Sequence, residues 1–142
     1  MKPETDPIAP DEWLLRLVWK DRMGPPAISP TAFEPRDERA RAPDTDGISL
    51  YREDCLSDPR EVLKVLKPEK QPGHGIVRIP VSLLLGLGLT VKPSRVSEVP
   101  GHVVIPEMSA AAYGSNKSQI KKLMGRLAEA ANDNVVHRPA DT

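Results

Sequence analysis

Residues 74–108 read HGIVRIPVSLLLGLGLTVKPSRVSEVPGHVVIPEM, the densest apolar stretch of the chain, with two of its three histidines. Ile76, Val77 and Ile79 before Pro80 predict a short buried strand. SLLLGLGL is too apolar for solvent, and Pro80 ahead of it with Gly86 and Gly88 inside it predict a two-turn helix stopped by glycine. LTVKP and RVSEVP read as a strand and a turn. HVVIPEM reads as a further strand, near a sheet edge because Pro106 cannot donate to a ladder. Strand, helix and strand in this order set the fold class: a small α+β domain with a mixed or antiparallel sheet and short helices.

Upstream, Asp11 precedes WLLRLVW. As a helix the run is apolar nearly all round; as a strand, Leu15, Leu17 and Trp19 share one side, and its seven residues suit a strand from about Leu14. Lys20–Pro30 is connection, marked by Gly24-Pro25-Pro26. Ser29-Pro30-Thr31 starts a short helical turn with Phe33 as its anchor. Residues 34–47, EPRDERARAPDTDG, are charged without apolar periodicity and read as a surface loop. ISLYRED alternates as a half-buried strand. Asp58, Pro59 and Glu61 then carry the cap, first-position proline and capping-box partner of a helix whose buried side is Val62, Leu63, Val65 and Leu66.

At the other end, Ser115 or Asn116 caps the most periodic helix, with Ile120, Leu123, Met124, Leu127 and Ala131 on one stripe. The organisation read from this is a disordered N-terminus (1–10), an α+β domain (11–113), an amphipathic helix (114–132) and a disordered tail (133–142).

Sixteen prolines among 142 residues keep regular elements short. Twenty basic and twenty acidic side chains cancel, so there is no long-range field of one sign to draw the whole molecule to nucleic acid or a membrane surface. Cys55 is alone, which excludes a disulfide framework or cysteine metal cluster. The first residues lack the apolar core of a signal peptide, and no apolar run nears the ~18 residues of a membrane span. The expectation is a soluble cytoplasmic protein.

Four constellations bear on chemistry. His74 and His102 both follow Pro-Gly; paired strands would bring them to one end of the sheet, but a zinc site wants three or four ligands, and no metal site is expected. Cys55 follows Glu53 and Asp54, whose charge suppresses its thiolate. Arg16 is a lone charge in an apolar run, so it is paired, with Glu53 or another carboxylate, or it faces a cleft. Finally, Lys117, Lys121, Lys122 and Arg126 crowd the first turns of the last helix with no acid between them. They are solvated, touch phosphates, or flank an apolar stripe that docks on a protein partner.

An arginine strand, a later Ser49/Tyr51 strand and a late acid, Glu107, resemble the layout of NAD-consuming ADP-ribosyltransferase-like folds, including RES-type toxin domains, though without the glycine-rich signature of the RES type. That likeness implies NAD as cofactor and Arg16, Ser49, Tyr51 and His102 as the catalytic set. The order WLLRLVW, ISPTAF, DGISLYR, GIVRIPVSLLLGLGLTV and PGHVVIPE also resembles a set of small bacterial proteins with no assigned activity, over about residues 13–107. The reading preferred at this level is a cytoplasmic binding or accessory module with a protein partner, in a toxin–antitoxin or mobile-element setting, and without a cofactor. The enzyme and nucleic-acid readings are its alternatives.

Overall fold

The computed structural model describes residues 1–36, 44–94 and 97–140. Part of the expected loop at 34–47 and part of the RVSEVP turn therefore lie outside the described residues.

WLLRLVW is a strand, β1 (Trp13–Trp19). It lies inside a six-stranded antiparallel sheet of order β4-β5-β2-β1-β3-β6, with β2 at Ile48–Arg52, β3 at His74–Pro80, β4 at Lys92–Pro93, β5 at His102–Ile105 and β6 at Val135–His137. The central position explains the near-continuous apolar run, since both faces of such a strand are covered. Leu14 and Val18 join the larger core and Leu15 the smaller one on the opposite face.

The larger core is made by α3 (Lys117–Asn132), whose Ile120, Leu123, Met124, Leu127, Ala128 and Ala131 are buried against the sheet. Phe33, at the end of the 3₁₀ turn Pro30–Phe33, is fully buried in the same cluster, and Ser29 caps that turn by accepting from the Thr31 N–H. The helical stripe of α3 is thus part of the domain's own core, not a free docking face. Asn116 is the N-cap residue of α3, but its side chain makes no capping bond. α2 (Ala110–Ser115) precedes it and is capped by Ser109.

The smaller core is roofed by the 3₁₀ segment Pro59–Val65, which starts with the expected capping box between Asp58 and Glu61 and buries Val62. The apolar SLLLG run forms α1 (Val81–Gly86), as its proline and glycines predict. The late strands are shorter than the sequence suggests: Pro106 turns the chain into a 3₁₀ turn after Ile105, and LTVKP leaves only Lys92–Pro93 paired.

Residues beyond Asn132, read as a frayed tail, add β6 to the sheet edge, with Val135 opposite Val77 and His137 opposite Ile76. Residues 1–10, read as disordered, lie along the domain without regular structure. The guanidinium of Arg52 donates to the Glu4, Asp6 and Pro7 carbonyls at 2.9–3.3 Å. Composition is blind to such a contact because its acceptors are backbone. Among the described residues Arg52 is the largest fully buried side chain, and it meets Glu12, also buried, through two bonds of 2.8 and 2.9 Å.

One irregularity of the sheet positions the site. β1 pairs with β3 along its whole length, from Trp13 opposite Pro80 to Trp19 opposite His74. Its pairing with β2 covers only Leu14 opposite Arg52 and Leu15 opposite Tyr51. Past Leu15 the two strands part.

Candidate functional site

Arg16 fills the parting. Its Nη1 donates to the Ser49 carbonyl at 2.9 Å and its Nε to the Ala32 carbonyl at 3.0 Å. One side chain thereby ties β1 to β2 and to the Phe33 turn. The expected partner Glu53 is engaged elsewhere, with Arg78 at 3.0 Å. Among the described residues no carboxylate lies within ion-pair distance of Arg16. Burial lowers its pKa to about 10, partly opposed by the nearby charge of Asp44, so it remains a cation at neutral pH.

The half-buried guanidinium opens onto a cleft of about 360 Å³ over the same parting. Arg22 and Arg36 reach this cleft from separate segments. Arg22 donates to the Thr31 carbonyl and Arg36 pairs with buried Asp44 at 3.1 Å. Tyr51 and Trp19 supply rings, Ser49 a hydroxyl, and Glu34 the one acid among the described lining residues. Trp19 is 38% exposed and meets His74 edge-on at 5.0 Å between ring centroids. Gly73 makes room for that tryptophan, because a Cβ there would collide with the indole ring.

Tyr51 stacks on His102 across the β2–β5 pair at 5.0 Å and 26°. Burial raises the phenol pKa, outweighing a hydrogen bond with Ser97 and the charge of Arg16, so it stays a neutral donor at ordinary pH. His102 Nε2 and the Ser49 hydroxyl are 2.9 Å apart. The four residues singled out as a catalytic set, Arg16, Ser49, Tyr51 and His102, are therefore one connected group. His102 lines the neighbouring hollow and reaches the cleft only through its contacts with Ser49 and Tyr51.

That hollow is larger, about 680 Å³, but its one arginine is spent, since Arg52 is held by Glu12 and three carbonyls, and its other charged lining residues are the acids Glu4 and Asp6. We favour the smaller cleft because its cations are not neutralised to the same extent.

The other expected chemistry separates. β3 and β5 do not pair, so His74 and His102 lie at different ends of the group, and no metal-holding cluster of three occurs among the described residues. Glu107, the late acid, accepts from the N–H and hydroxyl of Thr90 at 2.8 and 2.6 Å and does not line the cleft. Cys55 is buried, and burial comes ahead of its acidic neighbours in pushing its thiol pKa up. Lys117, Lys121, Lys122 and Arg126 are exposed on α3, with the Lys117 ammonium 5.4 Å from the Tyr113 ring centroid.

Sequence reasoning found Arg16, Ser49 and Tyr51 but missed Arg22, Glu34, Arg36, Trp19 and His74 as cleft residues. They are spread over β1, the turns at 20–36 and the start of β3, and none breaks a local pattern as Arg16 does.

No protein-family model, curated protein or solved structure matches this chain. No helix among the described residues is long and apolar enough to cross a membrane.

Proposed function

We propose that this protein is a binding module for a phosphate-bearing small molecule with a flat ring, of the nucleotide class. The observation that carries this reading is the convergence of three guanidiniums and two aromatic rings on one cleft. Arginine forks suit phosphate oxygens, and the deepest fork here is held by neutral carbonyls rather than a carboxylate. Trp19 and Arg16 both belong to β1 and both line the cleft. Trp19 or Tyr51 then faces the ring and Arg16, Arg22 and Arg36 the phosphates.

Trp19 fluorescence titrated with ADP and with pyrophosphate tests this. Both quench or shift the emission saturably, and affinity falls as salt rises. Arg22 is exposed, so Arg22→Glu leaves the melting temperature in place and weakens both ligands by at least roughly tenfold. No saturable signal and no heat with either ligand overturns the proposal.

A second reading draws on the link from Arg16 through Ser49 to His102 and Tyr51: NAD is the ligand and is consumed, its nicotinamide–ribose bond giving way to water or another acceptor. It predicts loss of NAD on incubation with the protein, abolished by Arg16→Ala in a folded variant. Stable NAD removes this reading and leaves the binding reading standing. A protein partner held through α3 would have only the helix's cations to grip, because the apolar stripe is already buried.

A further inference from the structure

A carboxylate is out of place in a site for phosphate alone. Glu34 lines the cleft beside the three arginines, where its charge repels an incoming anion. No ion pair among the described residues joins it to Arg16, Arg22 or Arg36. Its position is fixed all the same. The turn that gives the Ala32 carbonyl to Arg16 continues directly into Glu34, whose N–H donates to the Thr31 carbonyl at 3.1 Å. From α2 the Tyr113 hydroxyl donates to Glu34 Oε1 at 2.8 Å. Burial, followed by the bond and charge of Glu34, raises the Tyr113 pKa, so the phenol keeps the proton it donates. The guanidinium and the carboxylate thus share one anchor, and a helix outside the cleft orients the acid.

A carboxylate can accept from several donors, and Tyr113 occupies only one oxygen. We infer that Glu34 reads hydroxyl groups on the ligand, so that the cleft selects a ribose-bearing phosphate over its deoxygenated counterpart, with Tyr113 as the positioning residue. This rests on the phosphate reading of the cleft. Hydroxyls donating to a carboxylate make charge-assisted bonds. A site built around such bonds discriminates strongly against an analogue lacking the donor, because its own polar group is then left unmatched.

The test compares pyrophosphate, ADP and 2′,3′-dideoxy-ADP by calorimetry with the whole chain. ADP binds roughly tenfold to a hundredfold tighter than its dideoxy analogue. Glu34→Ala brings that ratio towards one and strengthens pyrophosphate binding, because the repelling charge is gone. Glu34→Gln, which keeps the shape, lowers the ratio and strengthens pyrophosphate binding. Tyr113→Phe lowers the ratio partway without weakening pyrophosphate. Equal binding of ADP and dideoxy-ADP to the unaltered protein overturns the inference while the phosphate reading survives. Failure of all three ligands, pyrophosphate included, overturns both.

Discussion

Glu12→Ala lowers the melting temperature by about 10–15 °C, the largest single-residue effect expected outside the glycines. The Glu12 side chain is fully buried and Arg52 is 1% exposed, joined by the two bonds already described. Making such a pair gains little, because both charges leave water. Breaking it costs about 3–5 kcal/mol, because the surviving charge stays buried without its partner. The carboxylate also accepts from the Ala9 N–H at 2.7 Å and faces Lys2 at 3.5 Å, so the substitution frees the entry segment as well. Replacing both residues, as in Glu12→Met with Arg52→Met, costs less than Glu12→Ala alone. Thermal denaturation of the three proteins checks the ordering; a double variant no better than the single one would mean that the Arg52 bonds to the Glu4, Asp6 and Pro7 carbonyls outweigh the cost of the unpaired charge.

The same carboxyl makes stability depend on acid. Burial pushes the Glu12 pKa up, but the Arg52 and Ala9 hydrogen bonds with the charges of Arg52 and Lys2 bring it below its usual 4.5. A depressed carboxyl pKa stabilises the fold fully above the unfolded value. The contribution drains away as pH falls below 4.5 and through the lower folded value. Melting temperature measured from neutral to acid pH falls over that window in the native chain, and this part of the fall is missing in Glu12→Gln.

Gly47→Ala is expected to remove a large part of the protein's stability, about 2–6 kcal/mol. Gly47 has φ +116°, a region L side chains rarely adopt, and an added Cβ would collide with the Ile105 carbonyl oxygen. Ile105 cannot retreat: it is fully buried, and it pairs with Ile48, the first residue of β2. Backbone strain contributes about 1–3 kcal/mol and displaced packing a further ~1–3 kcal/mol. Small domains have about 5–15 kcal/mol in all. Gly86→Ala is the comparison, since nothing lies within 4 Å of its added Cβ, and it is expected to leave stability equal or slightly raised. Circular dichroism and denaturant midpoints of the two variants decide; a Gly47→Ala protein as stable as the parent would mean that β2 enters the sheet differently.

Much of the fold was legible in periodicity. The β1 run, the capping box at Asp58, the Ser29 turn with Phe33 and the α3 stripe each carry a local signal, and each holds in the structure. What escaped reading depends on partners distant in sequence. Arg52 alternates innocently within ISLYRED, and nothing nearby marks it as a buried charge whose partner, Glu12, is forty residues away. β6 follows a helix end and looks like a tail because its stability comes from β3. The cleft shows the same division: a charge in an apolar run announces Arg16, whereas Glu34 and Arg36 sit in a charged loop where no residue stands out.

The short pairing of β1 with β2 has a mechanical consequence. It divides the sheet into two three-stranded ribbons, β4-β5-β2 and β1-β3-β6, seamed by two residue pairs and one arginine. A seam of two pairs between the longer central strands lowers the sheet's bending stiffness along that line, so one ribbon can flex against the other. Trp19 and His74 belong to one ribbon, Ser49 and Tyr51 to the other, and all four border the cleft. A molecule lodged there would touch both ribbons and splint the joint between them.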